Sequence, residues 1–211
     1  METILIFAGG PLPSTDLANE LPAADLIVAA DSGYDTAISL GYTVDVLVGD
    51  FDSIRSTPIP DHVITERHPT DKDQTDLDLA LELAVREEPA RIAVVAGSGG
   101  RQDHELATAM LLCSERWRNV EDLDWISERS RAYVVRGRRL LHGDVGSTVS
   151  LLPVGGPAEE ITTRGLAWEL VGDTLRPGST RGVSNVTTAP VVDVSVETGC
   201  LLVVFPTPES A

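Results

Sequence analysis

Two aspartates separated by one residue are the first feature of this sequence whose spacing suggests chemistry. Asp50 and Asp52 follow Gly49 at the end of an apolar run, residues 44–48. Side chains alternate along an extended chain, so the two carboxylates point to the same side. Oxygen ligands placed in this way suit Mg²⁺, which often shares them with a phosphate group. Because Gly, Asp and Ser are also ordinary turn residues, the pair alone leaves a metal site and a polar turn both open.

A second polar group surrounds Lys72, the only lysine of the chain. Asp76 and Asp78 belong to the start of a predicted helix, where the helix dipole favours acids. The dipole does not explain Asp71 and Asp73, which flank the lysine directly. A lysine held among acids at the edge of a sheet can serve as a point charge for a phosphate group.

The glycine-rich segment at residues 97–104 is a third candidate, in this case for binding an anion. Backbone N–H groups, including those of Gly99 and Gly100, precede a predicted helix and can cradle an anion. Arg101 can bind phosphate through two hydrogen bonds. Gln102 stands where a Gly-x-Gly-x-x-Gly motif needs its third glycine, and the segment lacks the Gly-Lys-Ser/Thr of a Walker A loop. Both standard nucleotide motifs are therefore absent.

The elements that must position these residues alternate between strands and helices up to about residue 127. Apolar runs predict strands at 4–8, 26–30, 44–48, 62–66, 91–96 and 123–127, and helical periodicity predicts helices near 15–20, 34–40, 76–86 and 104–117. The runs at 26–30 and 91–96 are apolar on both faces, which is typical of strands covered by helices on both sides. The first half is therefore predicted to be α/β, with a Rossmann-like, mainly parallel sheet and flanking helices.

Four of the predicted strands end at polar groups. These are Asp31-Ser32-Gly33, the Asp50 and Asp52 pair, the acids around Lys72, and the glycine-rich segment. Ligands of open parallel sheets bind beyond the carboxyl ends of the strands, so we expect the four groups to form one site. Carboxylates for Mg²⁺, with Lys72 and Arg101 for phosphate, suit phosphoryl-type transfer, which depends on positioning and charge neutralisation. The residues alone thus predict a Mg²⁺-dependent nucleotide enzyme whose acceptor stays open.

The second half of the chain has a different pattern. Gly, Pro, Asp and Ser separate short apolar runs at residues 132–135, 148–152, 191–196 and 201–205. No helical stretch is evident, which is typical of a small antiparallel sandwich or barrel. We therefore predict an α/β domain at residues 1–128 and an all-β domain at residues 131–211.

Composition argues against several classes of protein. The formal net charge is −17, and no basic stripe is available to meet nucleic-acid phosphates, so no nucleic-acid partner is expected. No signal peptide is recognised, and no apolar run approaches the about 20 residues of a membrane helix. We therefore expect a cytoplasmic protein without a membrane partner. Cys113 and Cys200 lack metal-ligand spacing and are predicted to be buried in a reducing cytosol.

Six short blocks resemble the signature blocks of the thiamine pyrophosphokinase (thiamine diphosphokinase) family. In chain order they are Ala29-Ala30-Asp31-Ser32-Gly33, Gly49-Asp50-Phe51-Asp52-Ser53-Ile54, Lys72-Asp73-Gln74-Thr75-Asp76, Gly99-Gly100-Arg101-Gln102-Asp103-His104, Gly165-Leu166-Ala167-Trp168-Glu169-Leu170 and Ser184-Asn185. The likeness spans nearly the whole chain. It departs from the family at Ser32, where glycine is common, and at Thr108, which replaces a frequent asparagine.

The resemblance implies a catalytic α/β domain, followed by a thiamine-binding β-sandwich that helps form a homodimer with the active site at the subunit interface. It also implies transfer of the pyrophosphoryl group of ATP to the hydroxyl of thiamine, which gives thiamine diphosphate and AMP. Carried over by motif, the Mg²⁺ ligands would be Asp50, Asp52 and Asp76. The catalytic residues would be Asp31, Asp73, Arg101 and Asp103. The other ATP-binding residues would be Ser32, Lys72, Gly99 and Gly100.

Thiamine itself would contact Ser184, Asn185 and Trp168. An aromatic face suits a cationic thiazolium, although a buried Trp in a small β-domain explains Trp168 equally well. Two other functions stay open: a pyrophosphokinase acting on a hydroxymethyl pterin, and a catalytically inactive regulator that binds thiamine or a nucleotide. The blocks around Trp168 and Ser184-Asn185 favour thiamine, and the presence of every expected acid favours catalysis.

Overall fold

The computed structural model describes residues 2–56, 58–96 and 100–207 of the chain. They divide into two compact units, Met1–Glu105 with Asn119–Glu128, and Leu106–Arg118 with Arg129–Ala211. The second unit therefore includes a segment, 106–118, that lies within the predicted first domain. The functional domain boundary between residues 128 and 131 stays a prediction.

Among the residues that the structure describes, the first unit contains six parallel strands. They are β1 (Thr3–Ala8), β2 (Leu26–Ala30), β3 (Val46–Gly49), β4 (Ile64–Arg67), β5 (Arg91–Ala96) and β6 (Asp122–Ile126), paired in the order β6-β5-β1-β2-β3-β4. Strands β1 and β5 are buried along almost their whole length, as expected for strands that are apolar on both faces. The strand order reverses between β1 and β5, and ligands of such sheets bind beyond the strand ends near this reversal.

The described part of the chain also forms three α-helices, α1 (Gly33–Ser39), α2 (Asp76–Arg86) and α3 (Gln102–Leu112). From Leu106 onwards, α3 belongs to the second unit. Helix α2 begins after Thr75, whose hydroxyl accepts a hydrogen bond from the Asp78 N–H at 3.2 Å. Leu77, Ala80, Leu81 and Ala84 form a buried stripe on one face of this helix. The longest of these helices has 11 residues. Among the described residues, no helix has the length and apolar character needed to cross a membrane.

The second unit contains antiparallel strands. They are β7 (Ser130–Val135), β8 (Arg138–His142), β9 (Thr148–Pro153), β10 (Ala158–Arg164), β11 (Val171–Leu175), β12 (Asn185–Val186), β13 (Val191–Ser195) and β14 (Leu201–Pro206). They pair in the orders β12-β9-β14-β7 and β11-β10-β13-β8. Both sets supply side chains to one buried cluster, which includes Leu151 and Leu201 from the first set and Ile161 and Val192 from the second.

The α/β class is confirmed, with a large mixed sheet and a separate antiparallel sheet. The description of the sheet as Rossmann-like and mainly parallel is not confirmed, because the large sheet also contains antiparallel pairs. The predicted helix at 15–20 is a 3₁₀ helix, and the helix predicted at 104–117 ends at Leu112, with a 3₁₀ turn at Glu115–Trp117. Strands β8, β10, β11 and β12 were not predicted.

The core of the first unit generates a stability prediction. Leu47 on β3 is fully buried in a cluster with residues of β1, β2 and α1. Leu47→Ala should lower the free energy of unfolding by about 2–5 kcal/mol, because it removes apolar contacts and leaves a cavity. Urea unfolding followed by circular dichroism measures this change. Ile64→Ala is the matched control, because Ile64 lies on the neighbouring strand β4 but is 67% exposed, and a loss as large as that of Leu47→Ala would contradict the assigned core.

Candidate active site

Three carboxylates converge where β2 and β3 end. One oxygen from each of Asp31, Asp50 and Asp52 lies within 4.8 Å of the others. The register explains this meeting, because Ala30 of β2 is paired with Val48 of β3, and the Asp31 N–H donates to the Val48 carbonyl at 2.8 Å. Asp31 and Asp50, which directly follow β2 and β3, therefore lie at the same edge of the sheet.

A fourth acid, Asp76 at the start of α2, reaches the same place. A Cβ added to Gly49 would lie 3.1 Å from Asp76 Oδ1 and 3.2 Å from Asp31 Cβ, so both acids approach the backbone of β3. Gly49 also has a φ of +143°, which a residue with a side chain rarely adopts. Glycine at this position thus leaves room for both acids and allows the backbone conformation that the site requires.

The carboxylates differ in their electrostatic surroundings. Burial raises the pKa of Asp31, and the charges of Asp76 and Asp50 raise it further. The pKa of Asp50 is lowered, chiefly by the Asp52 N–H, which donates to Asp50 Oδ1 at 3.2 Å, with help from the Thr70 hydroxyl and the charge of Lys72. Asp31 Oδ1 is buried and accepts no hydrogen bond from any described residue. A buried, unpartnered oxygen beside two further carboxylates fits a hard divalent cation, which would satisfy it.

Lys72 supplies positive charge at this edge. Its Nζ lies 3.1 Å from Asp76 Oδ1 and 3.9 Å from Asp50 Oδ2, and it donates to the Pro69 carbonyl at 3.0 Å. Asp76, a predicted metal ligand, is therefore paired with Lys72 here. Asp31, predicted to be catalytic, takes the position beside Asp50 and Asp52. The geometry thus brings Asp76 and Asp31 close to Asp50 and Asp52. The division of these acids between metal binding and catalysis stays a prediction.

The remaining predicted residues of the first unit lie less close together. Arg101 and Asp103 form an exposed ion pair with N–O distances of 3.1 and 2.6 Å, which raises the pKa of Arg101 and lowers that of Asp103. Neither has an ion pair with the carboxylate cluster among the described residues. Asp73 is exposed, and Ser32 directly precedes α1. Gly100 lies beside Pro11, whereas Gly99 falls outside the described residues.

Sequence reasoning missed Asp35, which holds the segment that follows the Asp50–Asp52 pair. Its buried carboxylate accepts hydrogen bonds from the N–H groups of Arg55 at 2.9 Å and Ser56 at 2.7 Å. Burial raises its pKa, but the Ser56 hydroxyl and these two N–H groups outweigh burial, so the net pKa is lowered. An acid in the first turn of a short helix suggests only a dipole interaction, and no local signal identifies partners 20 residues away.

The three residues predicted to contact thiamine lie together in the second unit. Trp168, Ser184 and Asn185 line a pocket of about 220 Å³ with Arg181 and Val183. Asn185 is buried, and its amide accepts from the Trp168 N–H at 3.1 Å and donates to the Trp168 carbonyl at 2.7 Å. The Trp168 side chain is 64% exposed, so it is not the core tryptophan of the β-domain. Asn185 thus holds the backbone that presents the Trp168 ring.

Comparisons with known proteins identify the family. The family model "Thiamin pyrophosphokinase, catalytic domain" matches residues 17–121, and "Thiamin pyrophosphokinase, vitamin B1 binding domain" matches residues 139–201. Thiamine pyrophosphokinase of Bacillus subtilis (strain 168) is 31% identical over 196 residues, covering 88% of this chain and 89% of that protein. The chain belongs to the thiamine pyrophosphokinase family.

Further members of the thiamine pyrophosphokinase family agree with this assignment. The crystal structure of the enzyme from Bacillus subtilis has a TM-score of 0.83 at 27% identity and covers 98% of this chain and 100% of that chain. Thiamine pyrophosphokinase 1 of Oryza sativa subsp. japonica is 26% identical over 177 residues, which is 75% of this chain and 64% of that protein. The family resemblance inferred from the six sequence blocks is confirmed.

The hydrogen bonds from the N–H groups of Arg55 and Ser56 to Asp35, which we call the Asp35 clamp, give a testable prediction for this member of the thiamine pyrophosphokinase family. Asp35→Ala removes the acceptor of two N–H groups, so hydrogen exchange at Arg55 and Ser56 should become at least about tenfold faster, with a loss of about 1–3 kcal/mol in unfolding free energy. Nuclear magnetic resonance measures the exchange at each amide. Asp35→Asn keeps one carbonyl acceptor and should give an intermediate result.

The pH dependence of the same variant provides its control. Because folding lowers the pKa of Asp35, its stabilising contribution is complete above the ordinary aspartate pKa of about 3.9 and is lost as the pH falls through the lower folded value. The difference in stability between wild type and Asp35→Ala should therefore shrink on acidification. A difference that is constant from neutral pH to strongly acidic pH would contradict the assigned clamp.

Proposed function

We propose that the protein transfers the pyrophosphoryl group of ATP to the hydroxyl of thiamine. A bond forms between the hydroxyl oxygen and the β-phosphorus, the bond between the β-phosphorus and the bridging oxygen of the α-phosphate breaks, and AMP and a proton leave. The observation that carries the proposal is the cluster of Asp31, Asp50 and Asp52 at the strand ends. It lies within the range that matches the thiamine pyrophosphokinase catalytic domain.

Mg²⁺ is the divalent cation that we propose for this site, with Asp31, Asp50 and Asp52 as its ligands and Asp76 beside them. When bound, Mg²⁺ would neutralise negative charge on the transferred phosphates. The unpartnered oxygen of Asp31 and its raised pKa support the assignment, because both indicate a carboxylate that lacks a compensating charge. Hard oxygen ligands without sulfur or imidazole favour Mg²⁺ over softer metals.

The side chains of the first unit would orient the triphosphate and receive the proton. The positive charge of Lys72 lies within 4 Å of Asp50 and Asp76, and we propose that it contacts a phosphate oxygen. Arg101 would bind a second phosphate group after it leaves its exposed pair with Asp103. Asp73 and Asp103 both stay candidates for accepting the hydroxyl proton, and a loose transition state needs little help from a base.

The second unit would recognise the acceptor. The match to a vitamin B1 binding domain at residues 139–201 favours thiamine over a pterin. We propose that the exposed ring of Trp168 faces the cationic thiazolium and that Asn185 fixes the backbone that carries the ring. Ser184 and Asn185, which line the same pocket, would also contact thiamine. By the family resemblance, the protein would work as a homodimer with the active site at the subunit interface.

An AMP-release assay tests this function. Formation of AMP from ATP should require both thiamine and Mg²⁺, and chelation of divalent cations should abolish it. Asp52→Asn should lower kcat by orders of magnitude, since it removes a charged ligand, and leave the folded state intact. Asp61→Asn, at an exposed aspartate of the same unit, is the matched control. Activity with a hydroxymethyl pterin instead of thiamine, or near-normal activity of Asp52→Asn, would refute the proposal.

Trp168 gives a second test that concerns only the acceptor. Trp168→Ala should raise the KM for thiamine by about fivefold to thirtyfold, because a cation–π contact of about 1–2 kcal/mol is lost. The KM for ATP should stay the same, and Trp168→Phe should recover part of the affinity. Because the ring is exposed, the variant should unfold at the same urea concentration as wild type. An unchanged KM for thiamine would remove Trp168 from the acceptor site.

A further inference from the structure

The two cysteines of the chain lie together inside the second unit, although they are far apart in the sequence. Cys113 directly follows α3, Cys200 directly precedes β14, and both are buried, as predicted from the sequence. Both are free thiols, and their side chains form a hydrogen bond with each other. A single buried cysteine behaves as a small apolar residue, whereas two thiols in contact can be oxidised to one disulfide.

The pairing of β14 with β7 places Cys200 beside an arginine. Leu201 is paired with Val135, so Cys200 and Arg136 are the next residues in the same antiparallel register. The Cys200 carbonyl accepts a hydrogen bond from the Val154 N–H at 3.2 Å. The backbone of Cys200 is therefore held on the side of β9 as well as on the side of β7.

The same arginine also holds the chain on both sides of Cys113. Its Nη2 donates to the Leu112 carbonyl at 3.1 Å and to the Ser114 carbonyl at 2.8 Å. Its Nε is buried and donates to no acceptor among the residues that the structure describes. One guanidinium thus lies beside both cysteines, and a positive charge in this position stabilises a thiolate.

The two thiols differ in acidity. The hydrogen bond from Cys113 lowers the pKa of Cys200, and the charge of Arg136 lowers it further, although burial and the charge of Glu115 oppose this change. The same hydrogen bond raises the pKa of Cys113, and burial raises it further. Cys200 is therefore the thiol that ionises first. Because the thiolate is the nucleophilic form of cysteine, Cys200 is the residue that would react with an oxidant.

We propose that Cys113 and Cys200 form a redox-active pair, which a hydroperoxide converts into a disulfide between the end of α3 and the start of β14. In the first step the Cys200 sulfur attacks one oxygen of hydrogen peroxide and the O–O bond breaks. The departing hydroxide takes up the proton that Cys200 released and becomes water, which leaves a sulfenic acid on Cys200.

The second step joins the two residues. The Cys113 sulfur attacks the Cys200 sulfur, the S–S bond forms and the S–O bond breaks. The hydroxyl group leaves with the Cys113 proton as a second molecule of water. Two thiols are thus oxidised and one peroxide is reduced, and a thiol reductant restores the pair by disulfide exchange. Disulfides that form in this way in a reducing compartment are typically transient and redox-sensing.

Peroxide treatment of the full-length, folded protein tests the proposal. After the peroxide is removed, thiol counting in urea should find no free thiol, and the mass of the chain should be lower by about 2 Da, which is the mass of the two hydrogens lost. A digest without reductant should contain one peptide pair that joins Cys113 to Cys200. The far-ultraviolet circular dichroism should stay the same, because two thiols already in contact need no unfolding to react.

Two single-cysteine variants test the order of the steps and serve as controls for each other. Cys113→Ala removes the second thiol, so the reaction should stop at the sulfenic acid of Cys200, which dimedone traps. Cys200→Ala leaves only the thiol with the raised pKa, and its trapped sulfenic acid should be about tenfold less at the same peroxide concentration. If circular dichroism shows that either variant is unfolded, the corresponding serine variant replaces it.

Hydrogen exchange measures the effect of the disulfide on the structure. The Cys113 N–H donates to the Ala109 carbonyl at 3.3 Å in the last turn of α3. A covalent bond to Cys200 restrains the opening of this turn, so the Cys113 amide should exchange about threefold or more slowly in the oxidised protein. Reduction with a thiol should restore the original rate.

Several results would overturn the proposal. One is a folded wild type that keeps both thiols under peroxide and loses them only after unfolding in urea, because the two residues would then be ordinary core cysteines. Disulfide-linked oligomers in place of the internal bond are another. More trapped sulfenic acid in Cys200→Ala than in Cys113→Ala would refute the assigned order, and unchanged exchange at Cys113 would refute the link to α3.

Discussion

Mutual repulsion among carboxylates is the constraint on which the first unit depends. Asp31, Asp50 and Asp52 meet within 4.8 Å, and Asp76 lies against the same backbone at Gly49. Two like charges 4 Å apart repel by about 1 kcal/mol in water and by about 4 kcal/mol at the effective dielectric of a protein surface. Lys72 offsets part of this cost at Asp50 and Asp76. The pKa of Asp31 is raised by burial first and by the charges of Asp76 and Asp50 second. The fold therefore holds the acids in place at a cost that a bound cation would remove.

Acids that repel one another stay together only if the backbone beneath them is fixed. The Asp31 N–H is bonded to the end of β3, and Asp35 fixes the segment after Asp52 through two further N–H groups. Asp31 and Asp35 flank the start of α1, so a single helix turn connects the cluster to its clamp. Asp35 thus contributes to the site although no atom of the transferred group would touch it.

Residue types and spacing predict which residues of the first unit belong to the candidate site, but they do not predict which of these side chains lie next to one another. Runs that are apolar on both faces mark β2 and β5, and the polar residues after them mark the ligand edge. Asp31 and Asp50 lie close together because Ala30 is paired with Val48, and no local sequence pattern predicts this pairing. The missed strands have a similar cause: β11 contains Gly172, and β10 shifts its register, so neither shows a clean alternation.

Both candidate sites contain non-glycine residues whose backbone φ angle is positive. Among the described residues, the non-glycine residues with positive φ include Asp31 at 47°, Phe51 at 69° and Ser184 at 58°. Each lies in or beside a group of predicted ligands, and a side chain in this region of the Ramachandran plot costs about 1–3 kcal/mol. Glycine would adopt these angles freely but would supply no carboxylate, ring or hydroxyl. At Asp31, Phe51 and Ser184 the strain therefore accompanies a group of candidate ligands, whereas Glu88 and Glu160, which also have positive φ, lie outside both candidate sites.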